Sequence, residues 1–228
     1  MNQPTRTHLV TGAGSGIGAV LTQRLLERGD EVLVLARSAE RAEELAADLP
    51  GASVQVADLA FPESVASLPL PGSLDSVVHA AGVVDLGRVA DLSVEAWVTQ
   101  LTVNLVAPAA LTRVALPALR AARGTVVFVN SGAGLVAHPQ WAAYAASKHG
   151  LRALADALRG EESENGVRVT TVYPGRTATP MQEKVHAQEG KDYDPGAWIR
   201  PDTVADAILG VLDLPGDASL TDVSIKPR

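Results

Sequence analysis

"HLVTGAGSGIGAV", residues 8–20, decides the fold. Its first half is a short apolar run, as a strand buried on both faces requires, and it breaks into glycine where a helical stretch begins. A glycine loop between strand and helix lets backbone N–H groups approach a pyrophosphate at the positive end of the helix dipole. The G-x-G-x-x-G pattern fails from Gly12, because Ile17 stands at its third glycine position. Gly14, Gly16 and Ala19 match only the G-x-G-x-x-A form. Gly12, Gly16 and Gly18 give the better description, T-G-x-x-x-G-x-G from Thr11.

Outward from this loop, apolar runs alternate with helical stretches. The runs are "EVLVLA", "ASVQVA", "DSVVHAAG", "GTVVFVNS", "VRVTTVYPG" and a weaker "TDVSI". Between them, residues 16–28, 39–48, 94–122, 142–164 and 201–212 have helical composition or period. The alternation predicts an α/β fold: a Rossmann-type, doubly wound, mostly parallel seven-stranded sheet with helices on both faces. Nothing divides the chain, so residues 1–228 read as one domain. Leu59 to Ser73 leaves room for only a very short helix. Residues 177–200 are the least regular part and read as a mobile lid over the substrate or a wall of its pocket.

Composition narrows the function classes. The 228 residues are 46% hydrophobic and 20% charged, as in an ordinary globular protein. A net charge of −7 without a basic stripe argues against a nucleic-acid partner. No cysteine is present, which excludes disulfides, thiolate catalysis and cysteine metal sites, and no metal is called for. The N-terminus lacks an apolar signal core and no later run approaches the length and apolarity of a membrane span, so the expected location is the cytoplasm.

The strand ends carry the cofactor signals. In dinucleotide folds, an acidic residue after the second strand binds the ribose 2′-hydroxyl of NAD, whereas an arginine accommodates the 2′-phosphate of NADP. "EVLVLA" runs instead into Arg37 and Ser38, with Arg41 a second cation, so NADP(H) is favoured and NAD(H) stays open. Asp58, closing the third strand, fits two roles: acceptor for the adenine amino group, or helix cap.

The chemical signal is "YAASK". Tyr144 and Lys148 lie four residues apart and share a helix face, and Ser131 precedes Tyr144 by thirteen residues at a strand end. A free phenol, with a pKa of about 10, donates a proton well but is a poor base near neutrality. A lysine on the same face can lower that pKa by its charge, aided by an oxidised nicotinamide ring, and a strand-end serine can orient a substrate oxygen. Singly these residues read as packing, solvation or turn groups. The S-x12-Y-x3-K spacing on a sheet with this glycine loop does not.

With these motifs the chain resembles the short-chain dehydrogenase/reductase family over nearly its whole length, from Leu9 to about Ile225. "VNLVAP" places Asn104 at the family's helix asparagine, and Pro174, Gly175 and Thr179 match its P-G-x-x-x-T element. The resemblance implies an NADP(H)-dependent oxidoreductase that interconverts a carbonyl and an alcohol, with Tyr144 as general acid/base. It assigns Asn104, Ser131, Tyr144 and Lys148 to catalysis. Lys148 would also hold the nicotinamide ribose, and Asn104 a water linking Lys148 to solvent. The expected cofactor contacts are Gly12, Ser15, Gly16, Ile17 and Gly18 in the loop, with Arg37, Ser38, Asp58 and Leu59 at the next two strand ends. Ala81 and Gly82, Tyr144 and Lys148, and Pro174, Gly175, Thr177 and Thr179 complete the set. Thr179 and the Thr177 backbone would contact the carboxamide. The alternatives are an NAD(H)-linked alcohol dehydrogenase and a nucleotide-sensing protein without turnover.

Three departures stand out. "HAAG", residues 79–82, replaces the family's N-N-A-G, so His79 is expected as a structural substitute for amide hydrogen bonds. Gly132 follows Ser131 where a small polar residue is common. Ser15 stands where many NADP-preferring members carry a basic residue. Val83, Val84, His138, Trp141, Met181, Val185 and His186 are the expected lining for a small-molecule carbonyl or alcohol, with His138 equally suited to the surface. The resemblance further implies a homodimer or homotetramer, assembled through residues 94–122 and 142–159.

Overall fold

The computed structural model describes residues 5–228. Strands β1 (Thr7–Thr11), β2 (Glu31–Ala36), β3 (Ser53–Val56), β4 (Ser76–His79), β5 (Thr125–Val129), β6 (Arg168–Pro174) and β7 (Asp222–Ile225) form one sheet. All neighbours are parallel, in the order β3-β2-β1-β4-β5-β6-β7. The winding direction reverses between β1 and β4, which opens a crevice at their carboxyl ends.

Strand alternation feeds two cores. Leu9 packs with Leu111, Leu119, Phe128 and Leu151 on the side covered by α4 (Ala107–Ala122) and α5 (Ala142–Glu161). Its neighbour Val10 packs with Leu21, Leu25, Val204 and Ile208 beneath α1 (Gly16–Glu27) and α7 (Pro201–Leu212). Helix α2 (Ala39–Asp48) joins this second side through Leu45. The connection from β3 to β4 holds only a short 3₁₀ turn, Pro62–Ser67.

Two stretches depart from expectation. Residues 94–122 form a continuous helical rod, but α3 (Val94–Leu101) and α4 are joined by a π turn, Thr102–Val106. Pro108 has no N–H to offer the Asn104 carbonyl one α-turn back, and a π turn accommodates that break. This rod is also long and apolar enough to cross a membrane by length and composition alone, contrary to the sequence expectation. Its apolar side is spent on the sheet, where Ala107, Leu111, Ala115 and Leu119 are fully buried. Residues 177–200 are not irregular throughout: α6 (Pro180–Glu189) lies inside them. Thr179 caps its N-terminus, Pro180 opens its first turn, and Gly190 ends it in the left-handed region at φ +65°.

The glycine loop is bound into this frame by steric contact. Gly12 has φ +73°, and a β-carbon on it would lie 2.7 Å from the Ala81 nitrogen beyond β4. A β-carbon on Gly18 would lie 2.3 Å from the Gly12 carbonyl oxygen. Backbone cannot give way as a flexible side chain can, so Gly18→Ala is expected to cost about 2 kcal/mol. The measurement is thermal unfolding, with Tm expected to fall by about 4–8 °C.

Candidate active site

A cleft of about 1120 Å³ runs along the carboxyl ends of β1 to β6. The glycine loop supplies Gly12, Ser15, Gly16 and Ile17 to its wall, and Arg37, Asp58 and Leu59 come from the ends of β2 and β3. Ala81, Gly82 and Val83 follow β4, while Pro174 ends β6 and Gly175, Thr177 and Thr179 follow it. Ser131, His138, Trp141, Tyr144, Lys148 and Met181 line the same space, as do Val84 and Val185.

Four expected residues lie off the wall. Gly18 packs against the Gly12 backbone, the contact that lets α1 approach β1 closely. Ser38 is the N-cap of α2, its hydroxyl accepting the Arg41 N–H at 3.3 Å. Asn104 is buried in the π turn: its Oδ1 accepts Val83 N–H at 2.8 Å, and its Nδ2 donates to the Val83 carbonyl and to Ser147 Oγ, each at 2.9 Å. His186 lies behind the lining, buried against the rings of Tyr193 and Trp198 and bonded to Gln182.

The chain segment after β4 is held without the missing asparagines. His79 stacks on Phe128 at 4.9 Å, and its Nε2 lies 2.9 Å from Thr112 Oγ1 on α4. Burial pulls the imidazole pKa down to about 3, so His79 stays neutral and acts structurally. Thr11 Oγ1 accepts the Ala81 N–H at 3.1 Å, and Asn104 clamps Val83 on both backbone groups. Asp58 makes an Asx-type turn, its Oδ1 accepting Ala60 N–H at 2.9 Å.

At the other end of the cleft, β5 delivers Ser131 and the first turns of α5 deliver Tyr144 and Lys148. Asn130, which sequence reasoning did not single out, joins the two elements. Its Oδ1 accepts the Ser131 N–H at 2.8 Å and its Nδ2 donates to the Lys148 carbonyl at 3.0 Å. Lys148 Nζ donates to the Val129 carbonyl at 3.0 Å and stands 5.8 Å from the centre of the Tyr144 ring. Tyr144 and Lys148 are 6% and 3% exposed, and burial decides their acidities. The phenol is pushed up to about 12, with the Ser131 hydroxyl pulling the other way, and the ammonium is pushed down to about 8. Among the protein's own groups, desolvation therefore outweighs the lowering that the Tyr–Lys spacing predicted.

The surroundings fit a phosphate-bearing dinucleotide. Bare backbone lines the cleft at Gly12, Gly14 and Gly16, and a β-carbon on Gly16 would press on the Thr179 methyl at 2.9 Å. Arg37 is exposed on the wall, and its guanidinium has no hydrogen bond or ion pair among the described residues. Arg41 leans over the loop, its Nη2 donating to the Gly14 carbonyl at 3.2 Å. Arg176, Gln182 and Glu189 also line the cleft and were not foreseen. Arg176 stands inside the P-G-x-x-x-T element, residues 174–179, at a position that the pattern leaves free.

The family model described as short chain dehydrogenase matches residues 6–190. The chain belongs to the short-chain dehydrogenase family. It is 32% identical over 221 residues to an L-fucose dehydrogenase of Bos taurus, covering 94% of this chain and 80% of that one. Its fold superposes with a TM-score of 0.85 on an alcohol dehydrogenase of the archaeon Thermococcus sibiricus complexed with 5-hydroxy-NADP, at 25% identity over 97% and 96% of the two chains. A short-chain dehydrogenase of Escherichia coli CFT073 complexed with NADPH gives 0.86, at 26% identity over 96% and 95%. The protein is thus an oxidoreductase of CH–OH and C=O groups that uses a nicotinamide cofactor.

Burial of Lys148 has a direct readout. With the side-chain carbons isotopically labelled, its NMR resonances should titrate near about pH 8, well below an ordinary lysine at about 10.4. A midpoint at the ordinary value would mean that the ammonium is hydrated and does not share the phenol's dry environment.

Proposed function

We propose that this dehydrogenase is NADP(H)-dependent and that Tyr144 exchanges the proton with the substrate oxygen. The observation that carries the mechanism is the meeting of Ser131, Tyr144 and Lys148 on the wall of the cleft that begins at the glycine loop. The cofactor preference is supported by Arg37 and Arg41 at the β2 end and by the NADP-type ligands named with both structural neighbours.

The loop backbone at Gly12–Gly16 would receive the pyrophosphate. Arg37 would pair with the 2′-phosphate, and Arg41, already on the loop, supplies the positive charge that Ser15 does not. Lys148 would reach the nicotinamide ribose, with Thr179 and the Thr177 backbone at the carboxamide. Bound NADPH supplies hydride to a carbonyl carbon. Ser131 Oγ orients the carbonyl oxygen by hydrogen bonding, and Tyr144 Oη gives its proton to that oxygen as the alkoxide charge develops. A phenol near 12 remains a competent donor to an alkoxide, which is far more basic. In the oxidation direction the phenolate must accept a proton, and the nearby Lys148 charge favours that form.

NADPH consumption against a panel of aldehydes and ketones tests both assignments. Tyr144→Phe is expected to lower kcat by about 10²–10⁴-fold. Arg37→Ala is expected to raise the KM for NADPH about tenfold or more and to leave NADH nearly unaffected, as loss of one charge-assisted phosphate contact requires. Undiminished turnover by the phenylalanine variant would remove the phenol from the chemistry. An unchanged NADPH KM would remove the phosphate role of Arg37 and favour an NAD(H)-linked enzyme.

A further inference from the structure

Arg176 follows the Pro174-Gly175 turn at the end of β6 and lines the cleft on the side of Tyr144. Both carboxylate oxygens of Glu189, the last residue of α6, accept from its Nη2, at 2.7 and 3.0 Å. The Arg176 hydrogen bond holds the Glu189 carboxyl below the usual carboxylate range, so the pair remains ionised. Nη1, with two N–H donors, and Nε have no protein partner among the described residues. A guanidinium needed only to tie α6 down would spread a carboxylate over two nitrogens. Here Glu189 occupies one nitrogen, while Arg176 also lines the cleft.

The surroundings continue toward the reacting centre. The Arg176 guanidinium lies 6.0 Å from the Trp141 ring centre and 5.4 Å from that of Trp198. The Trp141 ring in turn meets the Tyr144 ring edge-on at 5.8 Å. Phenol, indole and guanidinium make an unbroken wall: a proton donor at one end, an apolar stretch between, a cation at the other. Met181 and Val185 extend the apolar part. Among the described residues, the acids on the cleft wall are Glu189, which is ion-paired with Lys191 as well as with Arg176, so that the cluster keeps a net positive charge, and Asp58. Asp58 lies beyond β3, across the crevice from β6.

We infer that the substrate carries a carboxylate separated from its reacting carbonyl by an apolar chain, and that Arg176 determines this specificity. The inference rests on the carbonyl chemistry proposed above. The chain would lie along Trp141, and the carboxylate would take charge-assisted hydrogen bonds from the unspent N–H groups of Arg176.

The experiment compares linear methyl-ketone carboxylates of increasing chain length, each beside its methyl ester, with NADPH as reductant. The native enzyme is expected to favour at least one acid over its ester by tenfold or more in kcat/KM, with an optimum in chain length. Arg176→Met should bring that ratio near one by raising the KM of the acid, while kcat for the ester stays within about threefold; a merely structural arginine would lower both substrates together. Arg176→Lys, which keeps the charge, should retain an intermediate ratio. Equal use of acid and ester by the native enzyme overturns the inference, as does an acid preference that survives Arg176→Met. If neutral aldehydes or ketones are reduced with dependence on Tyr144 while the acids are not, the inference falls and the reductase function stands. If no carbonyl of either kind is reduced, the function itself falls.

Discussion

Gly18 and the Gly12 carbonyl are in backbone contact, with no room between them for a β-carbon. That approach sets α1 against β1, and the left-handed turn at Gly12 brings the same loop against Ala80 and Ala81 beyond β4. One steric constraint thereby joins the first strand, the first helix and the central switch point of the sheet. The crevice exists because the winding reverses there, and its floor is bare backbone because side chains cannot fit. The cleft proposed to hold the cofactor begins at this loop, and Arg41 reaches Gly14 from α2.

The chemistry depends on a second constraint, burial without a counter-charge. Tyr144 and Lys148 are both withdrawn from water, which disfavours phenolate and ammonium alike. The fold itself therefore holds the phenol protonated, and in the proposed mechanism positive charge brought nearby is what would let it act as a base. Asn130 keeps Ser131 and Lys148 in register by bonding to both backbones, and Asn104 holds the segment after β4. These two buried amides hold the segments that the proposed proton transfer would need rigid.

The fold was legible because its signals are local: seven apolar runs, the helical stretches between them, and a glycine loop at the first junction. The juxtaposition of Tyr144 and Lys148 was legible because helix periodicity alone puts them on one face. What escaped depends on long-range contacts. Helix α6 has little amphipathic period, and only its Thr179-Pro180 start and Gly190 stop mark it in the sequence. Asn130 looked like a strand-end residue, yet its amide bonds reach across to α5. Arg176 could not be placed, because its partners Glu189, Trp141 and Trp198 come from other segments of the chain. The acidity of Tyr144 was misjudged for the same reason: spacing reveals the neighbouring charge but not the depth of burial.

The central claim is that Tyr144 is a buried phenol whose acidity answers to nearby positive charge. Ultraviolet difference titration of the native protein against Tyr144→Phe isolates its tyrosinate signal from those of Tyr173 and Tyr193. Without cofactor, Tyr144 should stay protonated up to the limit at which the fold survives, in keeping with a pKa near about 12. With saturating NADP⁺, whose nicotinamide ring is cationic, the midpoint should fall measurably. An ordinary midpoint near about 10 without cofactor, or a midpoint that NADP⁺ does not move, would contradict the account.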